Sequence, residues 1–155
     1  MTQLLHYEDF RVGQVYPLGT HTLGADEMIA YAREFDSQPQ HLDEEAAKHS
    51  LLGGLAASGW FLGALAMRMI VDNLFIRAAS MGSPGIDELQ WRRPVYAGDE
   101  LALEGEVIAA RASSRRDRGF VKFRFAFYRV NGESRERVMM YVSSVMFGRR
   151  AADVV

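Results

Sequence analysis

The stretch Phe35-Asp36-Ser37-Gln38-Pro39-Gln40-His41, the polar segment Asp43 to His49, the pair Gly53-Gly54 and the apolar run Leu55 to Ile76 together decide the fold. Between Leu55 and Ile76 only Arg68, Asp72 and Asn73 are ionic or amide side chains, whereas a helix on a protein surface needs a whole polar face. The spacing predicts a long helix, wrapped along most of its length, with Leu62, Leu65 and Met69 in the core. Its apolar part, from Gly53 to Met67, stops at Arg68, short of the ~18 residues of a membrane span. Protein and not lipid should therefore cover it.

The rest of the chain says what the cover is. With 155 residues, 48% of them apolar, one sizeable core can form, and no Pro/Ser/Gly-rich linker divides it. Residues 1–150 are expected to be one domain and 151–155 a flexible end. A net charge of −2 gives no general attraction to nucleic acid or to anionic membranes, although arginines gather between Arg111 and Arg118. Without cysteine there is no disulfide, no thiolate-bound metal and no thiol nucleophile. The first residues lack the basic-then-apolar layout of a signal peptide, so a cytoplasmic location is expected.

Taken in order, Val15 to Leu23 reads as a first strand. Asp26 precedes Met28, Ile29, Tyr31, Ala32 and Phe35, an amphipathic helical spacing with an acid near its positive end. Pro39 should end that helix and leave Asp36 and His41 on a loop. Asp43 to His49 makes a short polar helix. After Ile76, the turn Ser83-Pro84-Gly85 precedes Ile86, Leu89 and Trp91, where strands begin. Leu101, Leu103, Val107 and Ala109 alternate with glutamates, and Val121, Phe123, Phe125 and Phe127 alternate with Lys122 and Arg124, as half-buried strands do. Gly105 suggests a bend or bulge. Asn131-Gly132 is a strong hairpin signal, and Arg137 to Phe147 is its return strand. The expected fold is α+β: a curved antiparallel sheet around a central helix, with Gly59 and Gly63 admitting strand backbones close to it. One such sheet leaves helix and sheet edge uncovered, so two copies should pair about a two-fold axis.

One group of residues has chemical promise. A carboxylate (Asp36) and an imidazole (His41) on one loop can handle a single water, one taking a proton while the other delivers one. Gly53-Gly54, at the expected start of the buried helix, could offer unpaired N–H groups and the positive helix end to an oxyanion. The spacing alone leaves open that Asp36 only forms a turn, His41 is a surface ring and the glycines only admit the helix.

Phe35-Asp36-Ser37-Gln38-Pro39-Gln40-His41, followed by Gly53-Gly54-Leu55-Ala56-Ala57-Ser58 and later by Pro94-Val95-Tyr96-Ala97-Gly98-Asp99, resembles the MaoC-like dehydratase family, which includes the (R)-specific enoyl-CoA hydratases. The resemblance covers almost the whole chain. It implies a homodimeric hot-dog fold that adds water to, or removes it from, an acyl thioester. Asp36 and His41 would be the catalytic pair, the choice of formal base between them staying open, and Gly54 would fall at the family's oxyanion glycine. Gln38 replaces the usual asparagine, Gln40 replaces the usual aliphatic residue, and Gly53 stands where many hydratases have histidine, so Gln38 and Gly53 join Gly54 as expected substrate-binding positions. The resemblance implies no organic cofactor or metal, and coenzyme A enters only as the handle of the substrate.

Two other readings stay open. A hot-dog thioesterase would share the fold but usually places its carboxylate elsewhere, often on the central helix, which here has no acid before Asp72. A non-catalytic acyl-binding protein would have no need of Asp36 and His41 together. Glu45 and His49 stand one turn apart without a second ligand pair, so no metal is expected there. Ser58 lacks a Gly-x-Ser-x-Gly elbow and reads as a small packing residue. Arg115, Arg116 and Arg118 could meet carrier phosphates, but a solvated loop explains them equally well.

Overall fold

Five antiparallel strands build one sheet in the computed structural model, which describes residues 3–151. They are β1 (Val15–Thr22), β2 (Ile86–Trp91), β3 (Glu100–Ala112), β4 (Arg118–Asn131) and β5 (Ser134–Gly148), arranged in space as β1-β3-β4-β5-β2. Alternation does the sorting. Leu101, Leu103 and Val107 of β3 and Val121, Phe123, Phe125 and Phe127 of β4 all fall in one buried cluster, because successive strand side chains point to opposite faces. The flexible end expected at 151–155 lies, apart from Ala151, outside the described residues.

The β4–β5 hairpin turns at Gly132-Glu133, with Asn131 paired to Ser134 and Gly132 at φ +61°. Glycine thus takes the first of the two loop positions, where a positive φ is needed. Gly105, expected to mark a bulge, instead pairs in register with Phe125, and a Cβ there would stand 2.9 Å from the Phe125 ring. Its reason is close packing. The register of β3 against β4 shifts further on, between Val107 and Ala109.

The helices are α1 (Ala25–Phe35), α2 (Pro39–Leu42), α3 (Glu44–Lys48) and α4 (Gly59–Asn73), the last followed by a short 3-10 turn at Phe75–Arg77. The central helix therefore starts at Gly59, not near Gly54 or Leu55. Residues 55–58 are non-helical because their backbone is bonded elsewhere: Ala56 bridges to Tyr96, and the Ala57 N–H donates to the Val95 carbonyl at 2.8 Å. Leu55, Ala56, Ala57 and Ser58 are all buried.

The cover on α4 is one-sided, which corrects the expectation of burial along most of its length. Phe61, Leu62, Leu65, Ala66, Met69 and Ile70 are buried, while Trp60 is 59% and Met67 47% exposed. Gly59–Arg77 is long and apolar enough, at a hydropathy of 1.4, to cross a membrane by length and composition. Its buried residues nevertheless belong to the same core as the sheet phenylalanines. Gly59 does meet a close neighbour, but that neighbour is the Trp91 indole rather than strand backbone, and nothing lies within 4 Å of the Gly63 Cβ position.

Candidate active site

Local backbone chemistry places the acid and the imidazole. Asp36 caps the C-terminus of α1, its N–H donating to the Ala32 carbonyl at 2.9 Å. Pro39 then opens α2 as its first residue, a position where the missing N–H costs nothing and the fixed φ suits a helix. His41 is therefore carried by a one-turn helix, not by a loop, and only 8% of it is exposed.

Hydrogen bonds fix both groups. His41 Nδ1 lies 2.8 Å from the Ala56 carbonyl; a carbonyl only accepts, so Nδ1 carries the proton. In the neutral ring Nε2 is then an acceptor, and it faces Asp36 Oδ2 at 3.5 Å. Asp36 Oδ2 accepts from Ser58 Oγ at 2.6 Å, and Oδ1 accepts from Gln38 Nε2 at 2.7 Å. Gln40 Nε2 in turn donates to Gln38 Oε1 at 3.1 Å. The Ser58 and Gln38 hydrogen bonds, joined by the field of the nearby imidazole, hold the Asp36 carboxyl below its ordinary value of 3.8 and outweigh its partial burial. Asp36 Oδ2 and His41 Nε2 thus face each other across a gap that one water can bridge.

Asp36 and His41 open into a cleft of about 410 Å³ that also receives Gly59, Trp60, Trp91 and Val95. Ser58 is the N-cap of α4, yet its side chain makes no capping bond, being committed to Asp36. The first N–H groups of a helix have no partner within it, and Gly59 and Trp60 both line the cleft. Trp91 Nε1 donates to the Gly59 carbonyl at 2.9 Å, and its ring lies where a Gly59 Cβ would be. The start of α4 is accordingly accessible on the side of the acid and the imidazole.

Gly53 and Gly54 stand elsewhere. Gly53, at φ +69°, closes a turn by donating to the Ser50 carbonyl at 3.2 Å. Gly54 lines a different cavity, with Tyr96, Ala97 and Asp43. The expectation that this pair opens the central helix is therefore corrected, and the glycine at the helix start is Gly59. Sequence reasoning missed Ser58 and Gly59 because Gly53-Gly54 is the more conspicuous pair. The usable signal was Ser58-Gly59 itself, an N-cap residue followed by the first unbroken run of helix formers. Glu45 pairs with Lys48 at 2.8 Å, and no group of three or more His, Asp or Glu that could hold a metal occurs among the described residues.

The five-stranded antiparallel sheet and its central helix define a hot-dog fold. Residues 10–122 match the family described as MaoC like domain, and the chain belongs to that family. The solved MaoC-like dehydratase from Rhodospirillum rubrum is 40% identical, with a TM-score of 0.84 over 96% of this chain and 99% of that one. The (R)-hydratase from A. caviae involved in PHA biosynthesis superposes with a TM-score of 0.71 at 22% identity, over 89% of this chain and 97% of that one, a likeness of fold. A mitochondrial 3-hydroxyacyl-[acyl-carrier-protein] dehydratase, FERN, from Solanum lycopersicum is 30% identical over 95 residues, 58% of this chain and 52% of that protein. The matched region thus spans about half the length of that relative.

Proposed function

We propose that the protein is a hydro-lyase that interconverts a 2-enoyl thioester and its 3-hydroxyacyl form, with Asp36 and His41 acting on one water. The observation that carries the reading is the 3.5 Å approach of His41 Nε2 to Asp36 Oδ2, with Nδ1 tied to a backbone carbonyl. Hydration requires oxygen to add to Cβ, a proton to reach Cα, and charge to be received at the thioester oxygen. The water held by both acceptors adds its oxygen to Cβ while the pair takes up one of its protons. The pair then returns a proton to Cα on the same face, so that the net addition is one water. As the C–S carbonyl becomes enolate-like, its oxygen takes the negative charge, and the Gly59 N–H at the start of α4 is the donor for it. This chemistry needs no organic cofactor or metal, since the thioester already makes Cα–H acidic and Cβ electrophilic.

The working unit in this reading is a dimer of identical chains. The argument is the uncovered side of the fold: β2 is an edge strand, and a groove of about 580 Å³ beside it is lined by Trp60, Met67, Ile86, Leu89, Phe125 and Tyr141, among others. Unpaired edges and apolar grooves of this kind are ordinarily covered. Light scattering at micromolar concentration should show twice the mass of the chain, and a stable monomer there would contradict the dimer.

The activity is tested with a panel of 2-enoyl thioesters of graded length, followed by loss of the conjugated enone absorbance. Turnover of at least one member is expected. Hydrolysis of saturated thioesters without hydration of any enoyl thioester would replace this reading by that of a thioesterase.

A further inference from the structure

Arg92 and Arg93 border two cavities at once. They line the cleft that holds Asp36 and His41, and with Glu136 and Arg137 they line a second cavity of about 510 Å³. Their backbone is pinned, since the N–H groups of both donate to the Val138 carbonyl, at 2.8 and 3.3 Å. The two cavities therefore share a wall at Arg92 and Arg93 that is held in place by β5.

Its charge is unbalanced. Three guanidinium groups face one carboxylate, and that carboxylate is occupied: Glu136 Oε1 accepts from Arg93 Nε and Oε2 from Arg129 Nη2, each at 3.1 Å. Arg92 Nε donates to the neutral Gln90 side chain at 3.1 Å, and Arg137 Nη2 donates to the Tyr128 hydroxyl at 3.1 Å. Among the described residues, neither Arg92 nor Arg137 meets a carboxylate. Arg118 and Arg124, by contrast, are paired with Asp117 and Glu106. Two guanidinium groups on neutral partners, one of them half-buried, in the cavity that shares Arg92 and Arg93 with the Asp36–His41 cleft leave donors for an anion that arrives with the substrate. Guanidinium groups suit the oxygens of a phosphate, to which they donate in pairs.

We infer that Arg92 and Arg137, with Arg93, form the subsite for a phosphate on the pantetheine-type carrier of the acyl thioester. The inference rests on the hydration reading for the place of the thioester, whose carrier arm leaves the cleft past Arg92. The phosphate next to pantetheine is common to coenzyme A and to the prosthetic arm of a carrier protein, whereas coenzyme A also brings nucleotide phosphates.

The test is equilibrium binding by calorimetry to the full chain, with Arg92→Gln and Arg137→Gln variants whose melting is checked first. The probes are saturated acyl thioesters of coenzyme A, of phosphopantetheine and of pantetheine, none of which can be hydrated. Each variant should lose roughly tenfold in affinity for the phosphorylated probes relative to pantetheine, the size of one charge-assisted hydrogen bond. Binding of those probes should also depend less on salt. Loss for both phosphorylated probes assigns the phosphate beside pantetheine, and loss for the coenzyme A thioester alone assigns a nucleotide phosphate; either supports the subsite. Equal loss for all three probes, or no loss, overturns it. Because no hydration takes place in this assay, an enzyme that hydrates enoyl thioesters but shows no phosphate discrimination would sink the subsite alone. Discrimination in a protein that hydrates nothing would sink the hydration reading alone.

Discussion

Ser58 Oγ donates to Asp36 Oδ2 across 2.6 Å, joining the N-cap of α4 to the C-cap of α1. That contact serves two ends. It holds the carboxylate ionised and in place, and it diverts the cap side chain from the helix, so that the N–H of Trp60 or Phe61, which an N-cap side chain would take, goes without that cap.

Ser58→Ala should leave a folded protein with hydration reduced roughly tenfold or more, as losing a hydrogen bond to a charged group entails. The sign of its pH effect follows from the direction of the shift. Ser58 and Gln38 depress the Asp36 carboxyl below 3.8, so removing Ser58 raises it, and the acid limb of the pH–rate profile should move to higher pH. The stability that the depressed carboxyl contributes is fully present above its unfolded value and is lost as pH falls through the folded one. The variant should accordingly lose less stability than the parent on acidification below pH 4, as followed by melting temperature. An acid limb that stays in place would show that Ser58 does not tune Asp36.

Gly59→Ala should damage the site through Trp91. A Cβ at position 59 would lie 2.5 Å from Trp91 Cε2, so the indole must move and give up its bond to the Gly59 carbonyl. Tryptophan fluorescence should shift, and kcat/KM should fall. Adding Trp91→Ala removes the obstacle, so the double variant should recover part of what Gly59→Ala loses. If Trp91→Ala only worsens Gly59→Ala, the glycine is required for another reason.

Leu65→Ala should cost ~2–5 kcal/mol in denaturant unfolding, the usual range for truncating a core leucine. Leu65 is 5% exposed, on the face of α4 that shares a core with the sheet phenylalanines. A loss below ~0.5 kcal/mol, typical of surface sites, would mean that this face does not bear on the sheet.

The fold was legible in the sequence because β3 and β4 each carry a period-two pattern, because Asn131-Gly132 announces β5 as a return strand, and because Leu62, Leu65 and Met69 recur at helical spacing. The start of the central helix was not. Leu55 to Ser58 has the composition of the helix that follows, and only its pairing with Val95 and Tyr96, some forty residues on, holds it extended. Non-local pairing of this sort overrides propensity and leaves no local trace. The same displacement put the helix-start glycine at Gly54 instead of Gly59. Asp36 and His41 could be picked out as candidates on one short stretch around Pro39, their pairing carried by the likeness to the family motif, whereas Ser58, Trp91 and Arg92 come from other elements of the chain.

Whether Asp36 and His41 work as one unit on one water is decided by a double-mutant cycle on enoyl thioester hydration. Asp36→Asn and His41→Asn should each lower kcat/KM by ~10²–10⁴-fold, with the melting temperature of each variant close to the parent's. The double variant should be scarcely slower than the poorer single variant, because groups that act together fail together. Single variants that retain near-native hydration, or losses that simply multiply in the double variant, would contradict the account.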